Sequence, residues 1–176
     1  MSQFCRKEII RLARPGDACD IALLSRSEIE YGLPWAWRPE TVTRAIAQSN
    51  MNVAVAISDA HSHNSASGIY GDKHSQHLVG FALVDFGRTH AHINLLAVQK
   101  SSRRRGIGRN LLDWQVASAR TAGIRYLTLE VRKSNSAALA FYRDCGFELR
   151  ETVTRYYNNQ EDALRLARKL EVEHES

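Results

Sequence analysis

The stretch from Ile93 to Phe147 constrains the fold of this chain more than any other part of the sequence. It opens with the apolar run Ile-Asn-Leu-Leu-Ala-Val and reaches the basic segment Arg-Arg-Arg-Gly-Ile-Gly at residues 103–108. Amphipathic, alternating and again amphipathic segments follow, so the pattern predicts strand, turn, helix, strand and helix in that order. The N-terminus of a helix gathers unpaired N–H groups and a partial positive charge. Glycines and arginines at that point therefore indicate a ligand that carries phosphate.

Segments on both sides of this stretch predict further strands and helices. Strands are expected at residues 8–14, 52–58, 78–86, 90–98, 125–132 and 147–157, with a turn at 87–89 that makes an antiparallel hairpin. Helices are expected after Asp17 as N-terminal cap, from Pro39, over residues 109–122 and after Asn135 as N-terminal cap. Residues 162–170 are ambiguous, because their composition favours a helix while their leucines alternate as in a strand.

Composition predicts a single domain over residues 1–176. The chain is 44% hydrophobic and 24% charged, with a net charge of +5, which is ordinary for a globular protein and modest for a dedicated nucleic-acid binder. Its three widely spaced cysteines, Cys5, Cys19 and Cys145, argue against a disulfide scaffold or a zinc site and for a reducing compartment. No apolar run reaches the ~18 residues of a membrane span, and the N-terminus lacks a signal-peptide core. We therefore expect a soluble, cytoplasmic protein.

Residues 59–77 interrupt the pattern between two expected strands. The segment contains serines, glycines, an asparagine and the histidines His61, His63, His74 and His77. Closely spaced histidines can bind a metal, but metal sites usually lie on rigid elements whose ligands are supported by further hydrogen bonds. We interpret the segment as an exposed, flexible loop and expect no metal site.

The glycines of the basic segment also begin the fingerprint of a dinucleotide-binding site. Glu130 lies about the expected ~20 residues onward, at the end of a strand. Against this interpretation, Leu111 stands at the third glycine position, and a polar loop separates the turn from the strand before it. A long segment also precedes that strand. We therefore reject a dinucleotide site.

Two motifs together carry a family resemblance. Arg103-Arg104-Arg105-Gly106-Ile107-Gly108 fits Gln/Arg-x-x-Gly-x-Gly/Ala, and one helix and one strand later the chain reads Asn135-x-x-Ala138-x-x-x-Tyr142-x-x-x-Gly146-Phe147. Both resemble signatures of the GCN5-related N-acetyltransferases (GNAT). Within that superfamily, residues 94–170 are similar to the RimI-type ribosomal-protein alanine N-acetyltransferases, through residues 129–135 and through Tyr-Tyr at 156–157 followed by Glu-Asp-Ala at 161–163.

This resemblance implies an α/β fold with a mixed, mostly antiparallel sheet of about six to seven strands, flanked by helices. A central pair of parallel strands would splay apart. The implied acetyl donor is acetyl-CoA, with its pantetheine arm between the splayed strands and its pyrophosphate on the basic turn. Asn135 also has the simpler role of a helix cap. The residues assigned to the donor are Leu96, Ala97, Val98, Arg103, Arg104, Arg105, Gly106, Ile107, Gly108, Arg109, Asn110, Asn135 and Tyr142.

Acetyl transfer to an amine requires a neutral nucleophile and a proton for the departing thiolate. By resemblance, Glu130 is the general base that deprotonates the acceptor ammonium, and Tyr142 is the general acid that protonates the thiolate. His92 lies with Asn94 on the strand that borders the acceptor side, and it is an alternative or assisting base. Cys145 is interpreted as a small buried filler rather than as an acyl carrier. We therefore expect direct transfer in a ternary complex.

The acceptor is the least specified part of this reaction. The C-terminal motif favours a protein N-terminal α-amine, although the loop at 158–160 is shorter than in RimI-type sequences and lacks Pro and Gly. A small amine, such as an amino-acid derivative, a polyamine or an antibiotic, is one alternative, and a non-enzymatic nucleic-acid-binding module built on the basic turn is another. Tyr31, Trp35 and Trp37 either line the acceptor cleft or anchor the core. We expect a monomer or homodimer without a membrane or a specific nucleic-acid partner.

Overall fold

The computed structural model describes the backbone of residues 8–60 and 75–171, and the side chains of all of these except 59, 60, 75 and 76. The strands are β1 Ile9–Leu12, β2 Met51–Ala60, β3 Ser75–Phe86, β4 His90–Val98, β5 Tyr126–Arg132, β6 Glu148–Tyr157 and β7 Glu161–Lys169. The helices are α1 Ala18–Glu28, α2 Pro39–Ala47, α3 Ile107–Thr121 and α4 Ser136–Asp144. None of the helices in these ranges is long and apolar enough to cross a membrane.

All seven strands form one sheet in the order β1-β2-β3-β4-β5-β7-β6. Every neighbouring pair is antiparallel except β4 and β5, which are parallel. A parallel pair needs a long crossover, and α3 supplies it between β4 and β5. The predicted fold class is therefore confirmed: a mixed, mostly antiparallel sheet with helices against it.

The helices lie on opposite faces of the sheet. On the α1–α2 face, Ile21 and Val42 pack with Phe81 and Leu83 in one apolar cluster. On the α3–α4 face, apolar clusters join α3 and α4 to strands β2 to β5 and β7. Gly80 allows α3 to approach closely, since a Cβ there would lie 3.1 Å from Cδ1 of Leu111 and 3.3 Å from Cγ2 of Ile107.

Strands β4 and β5 separate partway along their length. Their pairing covers three positions and ends at His92 and Thr128, whereas β4 continues to Val98 and β5 to Arg132. On its other edge, β4 shifts register against β3 so that Asn94 is left as an extra residue, and such a bulge bends a strand and increases its twist. The diverging segments, residues 94–98 of β4 and 129–132 of β5, form a fork. The predicted splayed pair is thus confirmed.

Asp17 is the N-cap residue of α1, as predicted, but its side chain makes no capping hydrogen bond. Its carboxylate accepts a hydrogen bond of 2.6 Å from the backbone N–H of Arg14. The same carboxylate forms two bonds with the guanidinium of Arg11, of 2.7 and 2.9 Å. An ionic partner on β1 therefore holds the carboxylate away from the first N–H groups of the helix.

Replacing Asp17 with Asn is expected to lower the free energy of unfolding by about 1 kcal/mol near neutral pH. The hydrogen bond from Arg11 holds the pKa of Asp17 below its usual value. The stabilisation is therefore present above the unfolded-state pKa of about 3.9 and is lost as the pH falls through the folded-state pKa. Urea unfolding of Asp17→Asn and of the wild type, at pH 7 and at decreasing pH, measures this difference. The same loss in Asp113→Asn, an exposed acid on α3, would contradict the prediction.

Three other boundaries differ from the predictions. Strand β2 runs to Ala60 and β3 starts at Ser75, so the ends of the loop predicted at 59–77 are strand; the histidines at 61, 63 and 74 lie outside the described residues. Helix α3 begins at Ile107 rather than at residue 109. The ambiguous residues 162–170 fall mostly within β7. Pairing of β7 with β5 on one side and with β6 on the other makes these residues a strand rather than a helix.

Candidate active site

Glu130 lies in the fork with its carboxylate on the α1–α2 face, and its side chain is only 8% exposed. Oε1 accepts a hydrogen bond of 2.6 Å from Nε of Arg165, its register partner on β7. Oε2 lies 3.1 Å from Nε2 of His92. Arg165 also forms an ion pair with Glu151 on β6. Four neighbouring strands, β4, β5, β7 and β6, thus contribute to one charged cluster at the point where β4 and β5 diverge.

The sequence reasoning found Glu130 and His92 but missed Arg165 and Tyr156. Burial, followed by the negative charge of Glu130, raises the pKa of the Tyr156 phenol. Tyr156 therefore keeps its proton beside the carboxylate. Its place in the Tyr-Tyr pair of the second half was visible in the sequence, whereas nothing in the sequence indicated that Arg165 would lie opposite Glu130.

Tyr142 lies on the other face of the sheet, in the apolar cluster that contains Leu129 and Val131. Phe141 and Phe147 contact its ring edge-on, with centroid distances of 5.1 and 5.5 Å. Burial raises the pKa of Tyr142 well above its ordinary value. This phenol therefore remains protonated over the whole physiological pH range.

Cys145, at the end of α4, is buried. Burial raises the pKa of its thiol, so the thiol is not activated as a nucleophile.

The basic turn, residues 103–108, ends at the N-terminus of α3. Gly106 precedes the helix with a φ of 83°, and Arg104 also has a positive φ of 63°. The first bond along the helix runs from the N–H of Asn110 to the carbonyl of Gly106 at 2.9 Å. The three N–H groups before it, of residues 107–109, have no acceptor within an α-helix. The turn therefore presents free donors of the kind that bind phosphate oxygens.

Two arginines of the basic turn are paired with acids from the N-terminal part of the chain. Arg103 forms an ion pair with Glu28, and its Nε donates to the carbonyl of Val98 at 3.1 Å. Arg105 lies 2.5 Å from Glu8. Arg104 has no such partner within residues 8–60 and 75–171. The positive charge left for an anionic ligand is therefore smaller than the sequence indicated, which weakens the nucleic-acid alternative.

The remaining residues assigned to the donor lie around the fork. Leu96 and Val98 are partly buried towards α3, and Ala97 is buried towards α1. Asn135 caps α4, as predicted, and accepts a hydrogen bond of 3.0 Å from the N–H of Ala138. Arg109 donates to the carbonyl of Asp144 at the end of α4, at 3.3 Å.

The loop between α1 and α2 lies across the open end of the fork. Glu30, 4% exposed, accepts hydrogen bonds from the hydroxyl of Ser25 at 2.9 Å and from the N–H of Ala36 at 2.6 Å. Arg132 donates to the carbonyl of Tyr31 at 2.9 Å, and Asn158 donates to the carbonyl of residue 32 at 3.2 Å. The loop is thus joined to the end of β5 and to the turn between β6 and β7.

The aromatic residues of this loop divide between the two predicted roles. Trp35 and Trp37 pack, partly buried, against the cluster under α1 and α2. Tyr31 is 81% exposed. The tryptophans therefore anchor the loop, and the tyrosine is free to contact a ligand.

Comparisons with known proteins agree with this geometry. The N-alpha-acetyltransferase daf-31 of Caenorhabditis elegans is 37% identical over 106 residues, which cover 56% of this chain and 58% of that protein. The [ribosomal protein bS18]-alanine N-acetyltransferase of Salmonella typhimurium is 36% identical over 93 residues, covering 51% of this chain and 63% of that protein. The matches therefore span less than two thirds of either relative.

A solved structure extends the likeness over the whole described fold. The ribosomal-protein-S18-alanine N-acetyltransferase of Escherichia coli superimposes with a TM-score of 0.74 at 21% identity, covering 97% of this chain and 98% of that one. The model of the acetyltransferase (GNAT) family matches residues 29–147, which include the basic turn, Glu130 and Tyr142. The chain therefore belongs to the acetyltransferase (GNAT) family.

Proposed function

We propose that residues 1–176 form a single N-acetyltransferase domain that transfers an acetyl group from acetyl-CoA to a primary amine, by direct transfer in a ternary complex. One observation supports this more than any other. The fork between β4 and β5 has a buried carboxylate, Glu130, on one face and a buried phenol, Tyr142, on the other. The fork opens towards the basic turn and the N-terminus of α3 that follows it.

The residues around the fork fit acetyl-CoA as donor. The free N–H groups at the start of α3 suit a pyrophosphate, and the unpaired edges of residues 94–98 and 129–132 suit an arm that contains amides. The carbonyl of Val98 is an exception among these edge groups. It already accepts a hydrogen bond from Nε of Arg103 within the chain. Acetyl-CoA would supply the activated acetyl group.

The positions of Glu130 and Tyr142 suit the two proton transfers of this reaction. The acceptor arrives as an ammonium and must lose a proton before its nitrogen attacks, while the departing sulfur must gain one. A base on one face of the sheet and an acid on the other keep these transfers on opposite sides of the reacting carbonyl. In our proposal Glu130 takes the ammonium proton and Tyr142 gives its own proton to the sulfur.

For the acceptor we propose a protein N-terminal α-amine. Of the relatives named above, one is called an N-alpha-acetyltransferase and the other a ribosomal-protein alanine N-acetyltransferase. In this chain, the α1–α2 loop is hydrogen-bonded to Arg132 and Asn158 across the open end of the fork. These hydrogen bonds narrow the approach to Glu130. A narrow approach favours the α-amine of an extended N-terminus over a lysine amine on the surface of a folded protein. The alternative is a small amine. We place the activity in the cytoplasm, where the free thiols of Cys19 and Cys145 would stay reduced.

An acetyl-CoA turnover assay with matched acceptor panels tests this proposal. One panel contains peptides with free N-termini and the same peptides with blocked N-termini, and the other contains amino-acid derivatives, polyamines and aminoglycosides. Turnover restricted to free N-termini is the expected result. Turnover restricted to small amines would replace the acceptor class, and salt-sensitive binding of RNA or DNA without acetyl-CoA affinity would contradict the enzyme function.

Arg104→Ala is expected to raise the KM for acetyl-CoA about tenfold with little change in kcat, since a hydrogen bond to a charged group contributes on the order of 1.5 kcal/mol. Arg104 is the arginine of the turn that is free of acidic partners in the described residues. Alanine disfavours the positive φ of this position as arginine does, because both have a Cβ. The variant therefore tests the charge of the side chain rather than the backbone conformation. Initial rates at varied acetyl-CoA measure the effect, and Arg120→Ala, at the exposed far end of α3, is the control. An equal rise in KM for both variants would contradict a specific role.

A further inference from the structure

The imidazole of His92 lies between the buried carboxylate of Glu130 and solvent. Its side chain is 36% exposed against 8% for Glu130, and Nε2 lies 3.1 Å from Oε2 of the carboxylate. The other carboxylate oxygen accepts from Arg165, whose guanidinium has no site to take up a proton. A proton that reaches Glu130 therefore has His92 as its neighbouring acceptor.

The contact of the second ring nitrogen, Nδ1, determines which of the two nitrogens carries the proton of neutral His92. Nδ1 lies 3.0 Å from the hydroxyl oxygen of Thr128, and that oxygen lies 3.3 Å from the carbonyl oxygen of Ala91. A carbonyl only accepts, so the single hydroxyl proton of Thr128 goes to Ala91 and the hydroxyl oxygen accepts from Nδ1–H. Both bonds form together only with a proton on Nδ1. A neutral His92 then presents the lone pair of Nε2 to Glu130, and the contact of 3.1 Å becomes a hydrogen bond once Glu130 carries the proton taken from the acceptor.

Three further titratable groups of the described residues, Tyr156, Tyr157 and Asp85, lie near this pair. Burial raises the pKa of Tyr157 to about 12, so Tyr157 keeps its proton. Tyr156 is excluded as the exit, because burial and the charge of Glu130 raise its pKa and it keeps its proton. On β3, Asp85 is the register partner of His92, and directly opposed residues of antiparallel strands share a face. An imidazolium at His92 would therefore lie between two carboxylates, those of Glu130 and Asp85.

We propose that His92 is the proton exit of this site and relays to solvent the proton that Glu130 takes from the acceptor. The inference rests on the proposed function. An N–H bond of the acceptor ammonium breaks and an O–H bond forms on Glu130. That proton moves to the lone pair of Nε2, and the resulting imidazolium then loses the proton of Nε2 to water at its exposed side and keeps the one on Nδ1. Thr128 is a positioning residue that holds the ring.

Kinetics of matched histidine variants test the relay. His92→Gln is expected to lower kcat about 10- to 100-fold, part of what proton transfer typically contributes, with both KM values within about threefold. His90→Gln is the control, since His90 lies two residues away on β4 and stacks on Tyr126. Added imidazole should restore His92→Ala in proportion to its concentration. Wild-type kcat in His92→Gln, or a folded His92→Ala that imidazole does not restore, would overturn the relay.

Nitrogen-15 NMR of labelled histidine tests the relay independently of turnover. In the wild type, the neutral ring of His92 is expected to carry its proton on Nδ1, and Thr128→Val should remove this preference. A neutral wild-type ring that carries its proton on Nε2 contradicts the relay alone, even in an active enzyme. If the wild type acetylates no acceptor of either panel, the proposed function and the relay both fail.

Discussion

Glu130→Gln is expected to lower kcat for amine acetylation by about 100- to 1000-fold, within the range that a general base contributes. Glutamine has the same size and keeps an oxygen that can accept from Nε of Arg165, as Glu130 does at 2.6 Å. It has no carboxylate to take the ammonium proton. The KM for acetyl-CoA should change little, because the basic turn lies beyond Val98, past the open end of the fork, and does not include Glu130. Steady-state rates with the best acceptor from the panels measure both parameters.

A variant of Glu151 distinguishes the loss of a general base from the loss of the ion pair with Arg165. Glu151 also binds Arg165, but its side chain is 52% exposed and lies on β6. Glu151→Gln is therefore expected to keep kcat within about twofold, as is usual for an exposed ion pair. Equal losses in the two variants would mean that Glu130 acts by holding Arg165 and would remove it as the base.

Tyr142→Phe is expected to lower kcat about 10- to 100-fold at every pH tested, by removing the proton donor for the departing thiolate. Phenylalanine preserves the edge-on contacts with Phe141 and Phe147, so the fold should persist. Because burial raises the pKa of Tyr142, the wild-type acid stays protonated up to at least about pH 10, the ordinary value for a phenol. Its loss of a proton should therefore add no alkaline fall to the profile of kcat below that pH.

Profiles of kcat against pH for the wild type and Tyr142→Phe measure this prediction. Tyr126→Phe is the control, since Tyr126 is a partly buried tyrosine on β5 that stacks on His90. It should match the wild type. Wild-type kcat in Tyr142→Phe would remove the assignment. An alkaline fall near neutrality that disappears in that variant would show that Tyr142 titrates there and would contradict the effect of burial.

The half of the fold from β4 to α4 was predictable because its signals are local. Alternation placed Thr128 and Glu130 on one face of β5 and Leu127 and Leu129 on the other, as the burial of the strand now shows. The cap at Asn135 follows from the side chain of one residue and the N–H three residues later. Such patterns survive because neighbouring residues in the sequence are also neighbours in space.

The partners of Glu130 were not predictable on the same grounds. Arg165 reaches it because β7 pairs with β5, a contact that bypasses α4 and β6, and residues 162–170 alone suit a helix as well as a strand. The carboxylate of Asp17 illustrates the same limit on a smaller scale. Its local pattern matches a helix cap, yet Arg11 from β1 binds it. Where a side chain has a choice of partners, tertiary contacts decide.

The strand order also sets when the charged cluster can form during synthesis. Strand β7, the last strand in the described part of the chain, is inserted between β5 and β6 rather than added at the edge. A growing chain that has completed β5 already contains Glu130 and His92, but it lacks the guanidinium that neutralises the buried carboxylate. Chains are released from the N-terminus first, so the cluster closes only after β7 has emerged. A nascent chain therefore cannot complete this charged cluster before all seven strands of the sheet have been made.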